Sequence, residues 1–220
     1  MIPMAAKLLL LTTLLLYRGT VVAQIPAEVF TGNKKSTIDI MFFKYFNNKE
    51  GNASRLLFFN RNRAGVDYAM TSTTNLPQFG FTEALSYNHK KLKGFAPVLV
   101  TQIFNSGIYS KAGIQMARIK PQLTIFSWLV CETKHKPFID FFFLGRYTPG
   151  ITDRLNLFSQ VELVKAMPTG GERNFSFTQR LRLGLKLKTF QFGIGADFLQ
   201  TGRTDFKKTI NTGGFIRYEF

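Results

Sequence analysis

The stretch between Asn174 and Leu199 constrains the fold more than any other part of this sequence. Apolar and polar residues alternate along two runs that a short Lys-Thr turn separates. A period of two over this length is typical of extended strands with one apolar and one polar face. We therefore predict a two-stranded hairpin, in which only Gln179 interrupts the apolar face. That face carries Phe175, Phe177, Leu181, Leu183, Leu185, Leu187, Phe190, Phe192, Ile194, Ala196 and Phe198.

The rest of the chain after the first residues consists of further segments of about ten residues, which is the strand length that crosses a membrane in a barrel. Turn-forming residues such as Asn105-Ser106-Gly107 and Pro149-Gly150 separate them. No segment has a helical period, and no internal repeat is present, so we predict an all-β chain. The segments are Thr37–Phe46, Ser54–Arg61, Phe79–Tyr87, Phe95–Phe104, Ile108–Ile119, Leu123–Glu132, Phe138–Tyr147, Arg154–Val164 and Gly213–Phe220.

The distribution of charged residues distinguishes a membrane barrel from a soluble sandwich. Strands such as Phe95–Phe104 and Phe138–Leu144 are apolar on both faces, whereas lysines gather in the turns. A soluble sandwich would present charge more evenly on its wet faces. We predict a closed antiparallel up-and-down transmembrane β-barrel of 10–12 strands, with a secreted lipocalin-like barrel as the alternative.

The amino-terminal residues are typical of a cleaved secretory signal. Lys7 precedes the apolar run Leu8–Leu16, and Val21-Val22-Ala23 forms a small-residue cleavage site. The run is too short to span a bilayer as a helix. We predict that residues 1–23 are removed on export and that residues 24–220 form the barrel.

The carboxyl terminus carries a further signal of location. The last strand ends with Ile216, Tyr218 and Phe220 on one face. It resembles the terminal strand of bacterial outer-membrane β-barrels, which the barrel-assembly machinery of that membrane recognises. The resemblance covers the leader, the strand pattern and this last strand. It implies an integral protein of a Gram-negative-type outer membrane, with outer-membrane lipid, lipopolysaccharide and that machinery as partners.

The number of strands is the weakest part of this prediction. The segments amount to eleven, whereas bacterial single-chain barrels have an even number. Either a strand is missing, with Arg63–Thr71 as the best candidate, or one of the first segments is not a membrane strand, and the error is expected before residue 80. Counting back from Phe220 makes the Lys186–Thr189 turn periplasmic and the 200–212 and Ala166–Arg173 connections extracellular. Longer loops are expected on the outer side.

The polar faces of the strands predict what lines the lumen. Arg and Lys side chains there would need acidic partners, so we expect a paired interior network. With 10 or 12 strands, side chains would largely fill the interior. The predicted lumen residues are Arg180, Arg182, Lys186, Gln191, Asp197, Glu162, Gln160, Asp140 and Arg146, together with Asn156, Lys111 and Gln115.

Three functions are compatible with such a barrel. The first is a largely filled barrel with a structural, accessory or partner- and lipid-binding role, which includes an unidentified protein partner. The second is a narrow, basic-lined pore or transporter for small solutes, among them anions. The third is a lipid- or peptide-modifying enzyme at the rim.

Candidate catalytic residues are few, and we expect no enzyme, no catalytic residue, no metal and no cofactor. Only two histidines exist, His89 and His135, and both lie in basic turns. Ser86 is three residues before His89, but spacing alone does not assemble a catalytic pair. No His/Cys cluster has the spacing of metal ligands.

Charge and aromatic content together bear on partners. The net charge of +16 would suit nucleic acid or anionic lipid, but 24 Phe residues favour a protein whose outside meets hydrocarbon. We therefore expect no nucleic-acid partner. The stretch Asn60–Tyr68, with Arg61 and Arg63, is either a loop that binds phosphate or carboxylate or a solvated strand end.

Overall fold

The computed structural model describes residues 25–69, 77–170 and 173–220. The proposed leader, residues 1–23, lies outside them. Twelve strands and one short 3₁₀ turn, Lys90–Leu92, make up the described elements. No helix in the described ranges is long and apolar enough to cross a membrane. The strands are β1 (Pro26–Gly32), β2 (Lys35–Asn47), β3 (Ala53–Asp67), β4 (Gln78–Tyr87), β5 (Phe95–Phe104), β6 (Gly107–Ile119), β7 (Leu123–Glu132), β8 (Phe138–Tyr147), β9 (Leu155–Pro168), β10 (Phe175–Leu187), β11 (Phe190–Gly202) and β12 (Phe206–Glu219).

Every strand pairs antiparallel with the next, and β1 pairs with β12 to close the barrel. The closing ladder runs from Pro26 opposite Glu219 to Gly32 opposite Gly213. A closed ring leaves no sheet edge with unpaired backbone groups, which is the condition for a β-structure in lipid. The prediction of an all-β up-and-down barrel is confirmed.

The missing strand is β1, so the count is twelve, and the error does lie before residue 80. The candidate Arg63–Thr71 was wrong because Arg63–Asp67 continues β3, where Gly65 pairs with both Thr37 and Gln78. Residues 70 and 71 lie outside the described residues. β1 escapes a search for ten-residue segments because it has seven residues and begins at a proline, a position that strands tolerate.

The two ends of the barrel differ in what they carry. We call the end with Pro26 and Glu219 the terminal rim, and the end with the β1–β2 turn the far rim. In an outer-membrane barrel with an even number of strands the terminal rim faces the periplasm.

The predicted long outer loops are not a general feature of the far rim. β11 extends to Gly202 and β12 begins at Phe206, so most of the 200–212 segment is strand. Only two residues, Asn33 and Lys34, separate β1 from β2 there. Residues 68–77 form the longest far-rim connection, and 70–76 of them lie outside the described residues.

The outer surface is mainly apolar along the strands. Leu99, Ile108, Ile114, Leu183, Ile194 and Ile216 are each more than half exposed. A band of this kind is stable only against hydrocarbon. With the closed topology, it makes the chain an outer-membrane β-barrel.

Candidate functional site

The inner face of the barrel is divided into an apolar half and a charged half. The apolar half is a cluster of buried side chains from β2 to β8. The charged half is formed by β1 to β3 and β9 to β12, where arginines and carboxylates alternate with neighbours that point to lipid. The apolar half contains Met41, Leu57, Phe59, Ala84, Val98, Val100, Phe126, Trp128, Val130, Phe142 and Leu144.

Arg61 connects opposite walls of the barrel. It lies on β3, and its guanidinium donates to Asp39 on the adjacent β2 over 3.0 Å and to Glu162 on β9 over 2.8 Å. β9 is six strands away from β3 in the closed ring of twelve. Glu162 also pairs with Arg180 of β10, and its side chain is 1% exposed. This lattice of ion pairs therefore narrows the charged half at mid-height.

A second set of ion pairs lies beside the first. Arg182 donates to Glu28 over 3.0 Å and to Asp197 over 2.8 Å. Glu28 also accepts from Arg217, which donates to Gln160 over 3.0 Å. Each of these arginines therefore has partners on more than one strand, as buried charges require.

Aromatic rings fill the apolar half at the same height. The ring of Phe59 lies 5.2 Å from Phe126, 5.3 Å from Trp128 and 5.9 Å from Phe142. Phe43 of β2 reaches Phe126 of β7 at 4.8 Å. These strands are far apart around the barrel, so the contacts show that the aromatic side chains extend across the lumen.

Above this narrow middle lies a basic vestibule that opens at the far rim. It consists of two adjoining cavities of about 280 and 410 Å³, which share Gln102, Phe104, Asp140 and Val164. Asp140 and Glu132 are the acids among its described lining residues. The lining cations are Lys35, Arg61, Arg63, Arg180, Lys111, Lys134 and Arg173.

Some of these cations are only partly neutralised. Lys35 makes no ion pair with any described residue, and Arg63 is 3.5 Å from Asp197 and 3.8 Å from Asp39. The Nη1 of Arg63 and the Nε of Arg180 are buried and have no hydrogen-bond partner in the described part of the chain. Buried donors of this kind are costly unless they receive an acceptor. The vestibule therefore offers positive potential to an anion.

A third cavity, of about 350 Å³, opens at the terminal rim and is lined by Arg146, Lys186 and Glu219. A space of about 10 Å³ between Glu28, Asp39, Arg146 and Arg217 adjoins it. That volume holds about one water molecule. Asp39 on its wall is paired with Arg61 of the basic vestibule, so this small space lies next to the ion-pair lattice.

The structure places all nine predicted lumen residues on the inner face. Beyond the ion pairs above, Lys186 and Gln191 both contact Glu219. Asp140 pairs with Lys111. Arg146 donates to Gln160 over 2.9 Å. Gln115, also predicted, donates to the Ser86 hydroxyl.

Sequence reasoning did not assign Glu28, Asp39, Arg61 and Arg63 to the lumen. The stretch Asn60–Tyr68 is not a loop over Asn60–Asp67, because these residues belong to β3, and it is exposed at Val66 and Asp67 but not at the buried Arg61. Its arginines do bind carboxylates, but those of the protein itself. The signal was present in the alternation Leu57, Phe59, Arg61, Arg63, which places all four on one face.

The structure does not bring Ser86 and His89 together. Ser86 is buried inside the barrel, whereas the His89 ring packs against Tyr87 at the terminal rim with 6.4 Å between ring centroids. The Nδ1 of His89 accepts from the backbone of Lys91. His135 lies in the far-rim turn between β7 and β8.

The comparisons with known proteins support the fold. No protein-family model and no curated protein matches the chain. Among solved structures, a KdgM porin in complex with disordered oligogalacturonate is similar over 90% of this chain and 99% of its own, with a TM-score of 0.50 and 13% identity. A NanC porin is similar over 90% of this chain and 100% of its own, with a TM-score of 0.50 and 9% identity. The chain thus has the outer-membrane β-barrel fold of these porins.

Proposed function

We propose that this protein is a narrow outer-membrane channel for small anionic solutes, which enter through the basic vestibule. The observation that carries the proposal is the excess of cations over acids among the described residues that line the vestibule. A cleft lined by one sign of charge concentrates counter-ions at its mouth. The oligogalacturonate in the KdgM porin complex is itself a polyanion, which is consistent with such a lining in a barrel of similar fold.

The ion-pair lattice sets the size of what passes. Arg61, Asp39 and Glu162 restrict the charged half, and the Phe59 cluster fills the apolar half. A route therefore follows the charged half past Arg146 and Arg217 to the terminal rim. An anion moves along such a route only by exchanging ion-pair partners with the lining residues, so the unitary conductance of the channel is small.

The side chains that extend across the lumen also favour a second function. The contacts of Arg61 and Phe59 across the barrel are what a filled barrel with a structural or partner-binding role requires. Conduction separates the two functions, because a filled barrel carries no steady current.

The test is the reversal potential of the refolded protein in a planar bilayer under a salt gradient. The wild type is expected to give discrete channels that prefer anions, and Lys35→Gln is expected to reduce that preference because it removes an unpaired vestibule cation. Lys208→Gln is the matched control, since Lys208 lies on the outer face of β12. A bilayer without discrete channels would support the filled barrel, and equal selectivity in Lys35→Gln would remove the vestibule from the proposal.

A further inference from the structure

A polar patch interrupts the lipid-facing surface of the barrel. We define the outer polar patch as Asn60 and Asn62 of β3, Glu83 of β4 and Thr101 of β5. Asn60 stands opposite Glu83, and Glu83 stands opposite Thr101. Their sequence neighbours point inward, so alternation directs these four side chains toward the outer face. Glu83 and Thr101 are exposed and Asn62 is half-buried, whereas Asn60 is only 7% exposed.

The patch lies within the apolar band and not at a rim. Along the outer face of β4, Phe79 and Phe81 precede Glu83, and Leu85 and Tyr87 follow it. All four of these side chains are between 42% and 47% exposed. The Glu83 carboxyl therefore has exposed apolar groups toward both rims, at a depth where the surrounding medium is hydrocarbon.

The chain itself satisfies this patch only in part. Asn62 donates to Asn60 over 3.1 Å, and Asn60 donates to Oε1 of Glu83 over 3.5 Å. Glu83 is exposed and makes no ion pair with any described residue. Polar groups in hydrocarbon are costly until they are hydrogen-bonded, and ionisable groups there mark sites of interaction.

We propose that the outer polar patch is the interface with a second copy of this chain. A two-fold axis along the membrane normal, between β3 and β4, brings Asn62 of each copy toward Glu83 of the other. The amide nitrogen of Asn62 carries two N–H groups, and one of them is used within the chain, on Asn60. The patch is thus self-complementary, with amide donors facing carboxyl acceptors, as an isologous interface requires.

Sedimentation equilibrium in detergent micelles tests this inference. Full-length protein is expected to be in monomer–dimer equilibrium. Glu83→Leu is expected to raise the dimer dissociation constant about tenfold, because hydrogen bonds between polar side chains within membranes contribute on that scale. Gln179→Leu is the control, since it removes an outward polar side chain of β10. A monomeric wild type, or equal association of Glu83→Leu, would overturn the proposal.

Disulfide cross-linking gives a second, independent measurement. In a Cys131→Ser background, Phe81→Cys places a thiol beside Asn62 near the proposed axis, and Ile194→Cys places one on β11. Oxidation in lipid vesicles is expected to give covalent dimers only for Phe81→Cys. Equal cross-linking of the two variants, or none for Phe81→Cys in barrels that show a heat-dependent gel shift, would contradict this interface.

Discussion

At the scale of single residues, Arg61 is a cation shared by two buried carboxylates. It contacts Asp39 and Glu162, which are themselves almost fully buried. Breaking a buried pair by removal of one partner costs more than the pair contributes, because a desolvated charge remains. Arg61 therefore stabilises the barrel and also forms part of the proposed constriction.

We predict that Arg61→Met lowers the free energy of unfolding by about 3–5 kcal/mol. Urea unfolding of the barrel refolded into lipid vesicles measures this change. Combining Arg61→Met with Asp39→Asn is expected to recover part of the loss, since among the described residues Asp39 is left with only Arg63 at 3.8 Å, whereas Glu162 keeps its pair with Arg180. Arg55→Met on the same strand is the control; it is exposed, and a loss there as large as that of Arg61→Met would refute the burial argument.

At the scale of the strand, Gly184 and Gly193 face each other on β10 and β11. A Cβ at Gly193 would overlap the backbone oxygen of Leu183, and one at Gly184 would overlap that of Phe192. This pair of strands therefore depends on close backbone approach at that point. The sequence showed alternating glycines, and the structure gives them a packing reason.

Gly193→Ala is expected to destabilise the barrel by about 1–3 kcal/mol, the usual cost of an inserted methyl group without space. The temperature at which the folded band disappears in unboiled gel samples measures the effect. Gly150→Ala is the matched control, because the nearest atom to its added Cβ is 3.9 Å away. Equal losses in the two variants would contradict the close approach of β10 and β11 as the cause of the loss at Gly193.

The last strand carries a prediction about assembly. Ile216, Tyr218 and Phe220 are exposed on the outer face of the chain end, at 54%, 43% and 74%. If the assembly machinery reads this terminus, Phe220→Ser lowers the amount of protein in the outer membrane several-fold while refolding from urea is unchanged. Phe206→Ser, at the opposite end of β12, is the control, and equal depletion of both variants would argue against a terminal signal.

Site residues could be predicted from the sequence on those strands in which apolar and polar residues alternate regularly. β9 to β11 alternate almost without exception, so Glu162, Arg180, Arg182 and Asp197 were found from sequence. β1 is short, and its pairing with β12 is a contact between chain ends that no local pattern contains. What sequence lacked was the pairing across the lumen, because the contact of Arg61 with Glu162 depends on barrel closure.

For the whole molecule, the divided interior separates two properties of the proposed channel. Charge selectivity belongs to the vestibule cations such as Lys35, which concentrate anions before the constriction. The width of the channel is set at mid-height, where the Phe59 cluster fills the apolar half of the interior. A substitution in the Phe59 cluster should therefore change conductance without changing charge selectivity, and a substitution of a vestibule cation should do the reverse.

Phe59→Ala tests this separation. The Phe59 ring is 1% exposed and packs against Phe43, Phe126, Trp128 and Phe142. Its removal is expected to cost about 3–5 kcal/mol of stability and to open a second path, so unitary conductance rises while the reversal potential stays that of the wild type. Lys35→Gln in the same bilayers is expected to show the reverse pattern, a shifted reversal potential at nearly unchanged conductance. Unchanged conductance in Phe59→Ala would mean that the aromatic half lies off the conducting route, and the ion-pair lattice alone would then set the width.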